Sequence, residues 1–210
     1  MTAARVFMVC ASLSRASTNR SALSLAHRAV IELGAEAVDD EVFDQIPPLD
    51  PDLVDRPGAA VATFRHNLAT ADAVIIAAPE YAGSLAGNAK NALDWVVGSG
   101  ELYNKPVGIL SAGTTGGPFA RQVMAQTLLW QGAHLVAQLG IAAPRTKSDA
   151  AGSIIDPWTV AAIAKFAWAV VNSVNVPIAE RARISSNVAA SVGVRRDVDT
   201  SSIATFAGFD

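Results

Sequence analysis

Nine consecutive residues, Ala11-Ser12-Leu13-Ser14-Arg15-Ala16-Ser17-Thr18-Asn19, put four hydroxyls, one guanidinium and one amide between an apolar run and a segment of helical spacing. A phosphate group needs several donors converging on it, and hydroxyls, an arginine and the free N–H groups of a helix start are donors of that kind. A single residue among Ser17, Thr18 and Asn19 would be enough to cap the helix that follows. The six polar side chains Ser12, Ser14, Arg15, Ser17, Thr18 and Asn19 exceed that need and read as an anion cradle. The loop has no Gly-x-Gly-x-x-Gly, so it is not shaped for the pyrophosphate of a permanently held dinucleotide; the chain also lacks the Gly-x-x-x-x-Gly-Lys-Ser/Thr segment of a P-loop triphosphatase.

A second loop, Pro79-Glu80-Tyr81-Ala82-Gly83-Ser84-Leu85-Ala86-Gly87, follows the strongest buried-strand signal in the chain. Pro79 and the two glycines impose an irregular backbone whose N–H and C=O groups can face a ligand, and Tyr81 offers a flat apolar surface to an aromatic ring. The competing reading is a plain surface turn, with Lys90 paired to Asp94 at i, i+4 and Trp95 packed in the core or at a subunit contact. A third loop runs from Ser111 to Pro118 and contains Gly113, Thr114, Gly116 and Gly117. Its glycines permit close backbone approach to the edge of a planar ligand, although a glycine-rich turn without a ligand has the same sequence.

The elements that must position these loops alternate. Arg5 to Ala11 is a short apolar run rich in strand formers, and Ala22, Leu25, Ala26, Ala29, Val30 and Leu33 fall at helical spacing before Gly34. Glu36 to Phe43 reads as a second strand, Pro57 to about Ala71 as a second helix, and Ala73 to Ala78 as a third, buried strand. A helix near 87–97, a strand over 107–111, a helix from about Phe119 to Trp130 and a strand from His134 to Ala137 follow. Asp156 as N-cap and Pro157 in the first turn open a last helix towards Val174. This order predicts an α/β fold, a doubly wound five-stranded parallel sheet with helices on both faces. Such sheets bind ligands beyond the carboxyl ends of their strands, where strand order reverses, which is where the three loops would lie.

Composition narrows the function further. Lys+Arg 16 against Asp+Glu 19 gives a net charge of −3, so no basic face for nucleic acid is expected. Cys10 is the single cysteine, which excludes an intrachain disulfide and a thiolate cluster and fits a reducing cytoplasm. The start of the sequence has no pattern of an export signal, and its apolar runs are far below the roughly twenty residues of a membrane helix. His27, His66 and His134 share no spacing of a metal site or catalytic triad and read as structural or exposed. Cys10 reads as a buried strand residue without a redox role.

Taken together, the loops resemble those of the NADPH-dependent FMN reductase family, which has a flavodoxin-like fold and includes quinone, azo-dye and chromate reductases. Pro79-Glu80-Tyr81, Gly83-Ser84, Gly87, Lys90-Asn91-Ala92 and Asp94-Trp95 follow the family's P-E-Y-N-x-S-x-P-G-x-L-K-N-A-I-D-W pattern. Ser12, Ser17 and Asn19 match its phosphate loop, and Ser111 with Gly113, Gly116 and Gly117 resembles its third loop. The sequence departs from the pattern at Ala11 for Gly, Ser14 for Arg with Arg15 one residue later, Ala82 for Asn and Ala86 for Pro. The resemblance implies FMN as cofactor, with NADPH or NADH as donor and no catalytic side chain. Ser12, Ser14, Arg15, Ser17, Thr18 and Asn19 would hold the phosphate, and Pro79, Glu80, Tyr81, Ala82, Gly83, Ser111, Gly113 and Thr114 would flank the ring.

The implied reaction passes hydride to FMN and electrons to a small acceptor such as a quinone, an azo compound or a metal oxyanion, in a homodimer or homotetramer with no nucleic-acid or membrane partner. Two rival readings are a reductase that uses FMN as a diffusible substrate for a partner monooxygenase, and a non-enzymatic flavin-binding electron carrier. The expected organisation is a flavodoxin-like FMN-binding domain over residues 1–175 and a C-terminal extension over 176–210, read as a disordered tail or as docking on a partner subunit.

Overall fold

In the computed structural model, which describes residues 3–194, the first strand is β1 (Arg5–Cys10), followed by helix α1 (Thr18–Glu32) and strand β2 (Glu36–Asp39). Two short 3-10 turns over the proline-rich segment lead to α2 (Ala59–Thr70) and β3 (Ala73–Ala77). A two-stranded hairpin, β4 (Glu80–Tyr81) and β5 (Ser84–Leu85), precedes α3 (Gly87–Asp94) and β6 (Pro106–Gly113). Helix α4 (Pro118–Trp130), strand β7 (His134–Ala142), α5 (Pro157–Ser173) and α6 (Ile178–Ser191) complete the order.

The five long strands form one parallel sheet in the order β2-β1-β3-β6-β7. The order reverses between β1 and β3, because the chain winds outward from β1 to β2 and then crosses back to build the other half. Burial on both faces explains the composition of β3, Ala-Val-Ile-Ile-Ala, in which every residue is shielded. Phe7, Val9, Val74, Ile76, Val107 and Ile109 pack on one face against α2, α3 and α4, while Val6, Met8, Ile75 and Leu110 pack on the other with α1 and α5. On the second face Gly108 lets α5 approach: a Cβ built there would stand 2.5 Å from Val170 Cγ2. Any larger residue at Gly108 would push α5 off the sheet.

Boundaries follow local chemistry. Ser17 caps α1 by accepting from the Asn19 N–H, and Asp156 caps α5 by accepting from the Thr159 N–H, with Pro157 in the first turn as its fixed φ favours. Strand β2 stops at Asp39 rather than running to Phe43, because the chain turns where Asp40 accepts from the Val42 N–H. Strands β6 and β7 are longer than the apolar runs suggest, since their ladder continues through Ser111↔Gly140 and Gly113↔Ala142. Residues assigned from sequence to a C-terminal extension include α6, which lies on β7 and donates no tail to solvent over that span: Ser185 Oγ accepts from the Leu135 N–H at 3.0 Å, and Ala189 is buried. Residues 195–210, with Phe206 and Phe209, lie outside the described residues. Among the described residues no helix is long and apolar enough to cross a membrane.

Candidate functional site

Parallel pairing puts Cys10 opposite Ala77 and Ala77 opposite Leu110, so the segments that follow β1, β3 and β6 emerge at the same edge of the sheet. Ser17 and Tyr81 therefore share one rim, at the point where strand order reverses. This is the place where open α/β sheets take their ligands.

Hydrogen bonds tie the three loops together pairwise. The first joins the third through Asn19, whose Nδ2 donates to the Ala112 carbonyl at 3.0 Å and whose Oδ1 accepts from the Ala112 N–H at 2.8 Å. Thr18 Oγ1 donates to the same carbonyl at 3.2 Å. The first joins the second through Asn88 Nδ2, which donates to the Ala11 carbonyl at 3.1 Å. The second joins the third through Glu80: one carboxylate oxygen accepts from the N–H groups of Phe119 and Ala120 at 2.8 and 3.1 Å. These are orphan donors of α4, whose N-cap is Gly117 and so has no side chain to satisfy them.

What remains uncommitted in the first loop is the donor set a phosphate requires. The hydroxyls of Ser12 and Ser14 and the guanidinium of Arg15 have no partner among the described residues. Ser17 is half-buried and caps α1, while Ser14 and Arg15 are exposed. The loop carbonyl of Ser12 is fixed by Arg20, which donates to it at 3.1 Å.

In the second loop the β4–β5 hairpin closes with Ala82 and Gly83 at its tip, at φ 50° and 69°. Two successive left-handed residues are what a two-residue hairpin of this hand demands, and Asn-Gly is the preferred pair. Tyr81, on β4, is 61% exposed and leaves its ring accessible. Lys90 pairs with Asp94 at i, i+4, and Trp95 is buried with its Nε1 donating to the Pro47 carbonyl at 2.8 Å, so both belong to the framework.

The third loop combines crowding and room. Gly117, at φ 61°, packs against Ser111 so closely that a Cβ would lie 2.1 Å from Ser111 Oγ, whereas a Cβ at Gly113 would meet nothing within 4 Å. Ser111 Oγ is a buried hydroxyl without a partner among the described residues. Thr114 follows Gly113 directly and its carbonyl accepts from the Ala143 N–H at 3.2 Å. Arg121, which no spacing in the sequence singles out, braces this loop by donating from Nε to the Gly116 carbonyl at 3.1 Å and pairing with Gln138 on β7. Burial lowers the pKa of its guanidinium, partly offset by the charge of Glu80. Its partners become visible only once β6 and β7 are paired.

Residues 4–147 of the chain match the family described as NADPH-dependent FMN reductase. The chain belongs to that family. An NAD(P)H-dependent FMN reductase of Pseudomonas aeruginosa is 37% identical over 46% of this chain and 56% of its own length, so the match spans just over half of that relative. A probable NADPH:quinone oxidoreductase of Oryza sativa subsp. japonica is 32% identical over 72% of this chain and 82% of its own length. A flavoenzyme NAD(P)H:(acceptor) oxidoreductase from Paracoccus denitrificans superposes with a TM-score of 0.68 at 23% identity, covering 81% of this chain and 97% of that one. A flavodoxin from Streptococcus pneumonia TIGR4 superposes at 0.54 with 16% identity over 81% and 99%. These likenesses establish the flavodoxin-like fold.

The residues of this member of the FMN reductase family fit the flavin. Hydroxyls and a guanidinium that are unpartnered among the described residues stand on the first loop, a buried hydroxyl likewise unpartnered and open space at Gly113 stand at the third, and an accessible aromatic ring stands on the second.

Proposed function

We propose that this chain is an NAD(P)H-dependent oxidoreductase that binds FMN at the rim of the three loops, accepts hydride from a nicotinamide and delivers electrons to a small acceptor such as a quinone, an azo compound or a metal oxyanion. The observation that carries this reading is the pairwise locking of the loops: Asn19 to Ala112, Asn88 to Ala11, and Glu80 to the start of α4. The flavin, when bound, supplies the hydride-accepting and electron-donating chemistry. The chain supplies binding and orientation.

In this reading the first loop holds the phosphate through the side chains of Ser12, Ser14, Arg15, Ser17 and Thr18 and through N–H groups of the first turn of α1. Asn19 contributes by fixing the distance to the third loop, since both ends of its amide are already engaged. Pro79, Glu80, Tyr81, Ala82 and Gly83 flank the ring on one side and Ser111, Gly113 and Thr114 on the other. Ser111 Oγ, buried and without a partner among the described residues, is suited to a hydrogen bond with a ring heteroatom. His27 is engaged by Asp39 at 3.0 Å and His134 is buried at the start of β7, so neither stands at the rim.

Among exposed residues Tyr103 and Trp130 are 69% and 76% accessible, an apolar presentation that supports assembly into a homodimer or homotetramer. Light scattering on the purified chain tests this, and a monomer would overturn it.

The test of the activity is a steady-state assay of the purified protein against NADPH and NADH, with FMN and a panel of quinone, azo-dye and ferricyanide acceptors, after its visible spectrum has been recorded. The expected result is saturable nicotinamide oxidation that requires FMN. Absence of oxidation with every acceptor would overturn the enzymatic reading, and a colourless protein active only with added FMN would identify the flavin as a diffusible substrate.

A further inference from the structure

Helix α6 carries the chain from the amino end of β7 towards the start of α4. Ser185 Oγ accepts from the Leu135 N–H, and two turns further on the Gly193 carbonyl accepts from Gln122 Nε2 at 3.3 Å. The helix ends in a built turn. Gly193 is left-handed at φ 81°, its N–H donates to the Ala190 carbonyl at 3.0 Å, and the Val194 N–H donates to the Ala189 carbonyl at 2.9 Å, which is the Schellman arrangement. Val192 and Val194 pack on the same core as Val123 of α4. The chain is therefore tied to α4 as far as Val194, about one helical turn from the rim where Glu80 holds the Phe119 N–H.

Phe119, Val123 and Gln126 fall at i, i+4 and i+7 along one face of α4, beside Gln122. The ring of Phe119 is 54% exposed and lies against the hairpin tip, where a Cβ at Gly83 would stand 4.0 Å from it; Tyr81 on the same hairpin is also exposed. The exposed Trp158 and Trp168 belong to α5, on the other face of the sheet.

Residues 195–210, outside the described residues, continue from this point and contain Val198, Ile203, Phe206 and Phe209. Phe206 follows Val194 by twelve residues, a reach of about 40 Å extended or about 18 Å as a helix, against about 5 Å along α4 from Gln122 to Phe119. A segment tethered this close is presented at an effective concentration of about a millimolar, so an apolar contact of only millimolar affinity holds it half of the time. A second copy at micromolar concentration has no such advantage.

We propose that residues 195–210 dock in cis on the outer face of α4, with Phe206 and Phe209 shielding Phe119 and the hairpin tip beside the proposed flavin rim. The occupant is the chain's own C-terminal segment, delivered there by the Gly193–Gln122 tie.

The test is amide hydrogen exchange, followed by mass spectrometry on flavin-free protein. Three forms are compared: the full chain, a chain truncated after Val194, and the full chain carrying both Phe206→Ser and Phe209→Ser. A segment docked for half to four-fifths of the time slows exchange of what it covers by about two- to fivefold. We expect that difference in peptides spanning 80–85 and 119–126, lost alike in the truncated chain and the double variant and independent of protein concentration.

Equal exchange in all three forms overturns the proposal. So does acceleration of the same size in α1 and α5, because a docked segment protects only what it touches. Protection that grows with protein concentration assigns the face to a second copy and likewise overturns docking in cis. Neither flavin nor nicotinamide enters the measurement, so its outcome and that of the redox assay are independent.

Discussion

The side-chain amide of Asn19 pairs with both backbone groups of Ala112, accepting from its N–H and donating to its carbonyl across a sequence separation of 93 residues. The side chain is buried, and it closes the end of β6 onto the start of α1 much as one more rung of ladder would. Replacing Asn19 by Ala leaves the Ala112 N–H without this acceptor and its carbonyl with the Thr18 hydroxyl alone, which costs about 1–3 kcal/mol, the range for one unsatisfied buried group. We expect Asn19→Ala to lower the denaturant midpoint of the flavin-free protein and to weaken FMN binding as well. A variant that loses FMN with unchanged stability would show that Asn19 touches the phosphate instead of holding the loops.

Glu80 does for the second and third loops what Asn19 does for the first and third. Its carboxylate satisfies two first-turn N–H groups of α4 and places a negative charge at that helix start, where the helix dipole favours it. Glu80→Ala removes both contributions and is expected to cost about 1–2 kcal/mol, the range of a strong helix cap. Glu80→Gln keeps an acceptor oxygen and loses only the charge, so its loss of stability should be smaller. Thermal or urea unfolding of the two variants checks the ranking, and equal losses would show that charge alone matters.

Ala82 is a methyl-bearing residue at φ 50° on the hairpin tip, followed by Gly83 at φ 69°. A left-handed conformation costs an ordinary L-residue roughly 1–2 kcal/mol, while Asn and Gly tolerate it. Ala82→Asn and Ala82→Gly are therefore expected to stabilise the protein by about 0.5–1 kcal/mol, with Asn ahead because Gly also gains freedom in the unfolded chain. A rise in urea midpoint at unchanged slope is the confirming result.

Much of this architecture was legible before the structure. The alternation of apolar runs with helical spacing gave the parallel sheet, because buried strands such as Ala73–Ala77 have no amphipathic pattern to mislead, and Asp156-Pro157 marked the start of α5 by cap chemistry alone. The hairpin at Glu80–Leu85 was read as loop, since four paired residues are too short to show a period of two. The far part of β6 and β7 was missed for a related reason: Gln138, Leu139 and Gly140 are held by the ladder rather than by hydrophobic pattern. The three loops were recognisable from residue types, but the bonds between them were not. Asn88, Ala112 and Arg121 act through partners distant in sequence, and nothing local distinguishes them from ordinary helix and strand residues.

Asp40, at the end of β2, provides a test in pH. Its Oδ1 accepts from the Val42 N–H at 3.3 Å, while Oδ2 is fully shielded and unpartnered among the described residues. Burial, helped by the charges of Asp44 and Glu41, pushes the carboxyl up from 3.8 to about 6. The neighbouring cleft also contains Cys10, Arg15 and Arg20, yet none of them bonds to Oδ2. A folded-state pKa above the unfolded value means that the native protein binds more protons between about pH 4 and pH 6. This contribution to stability therefore falls as pH rises through that window and is at its most unfavourable above pH 6. Allowing for the partial exposure of the group, the ionised carboxylate costs on the order of 1–2 kcal/mol at pH 7. Asp40→Asn keeps the amide-accepting oxygen and abolishes the titration. We expect the variant to exceed the wild type in urea midpoint at pH 7 and to converge on it near pH 4. A difference that stays constant from pH 4 to pH 7 would show that the carboxylate is solvated and that its burial contributes nothing to the pH dependence.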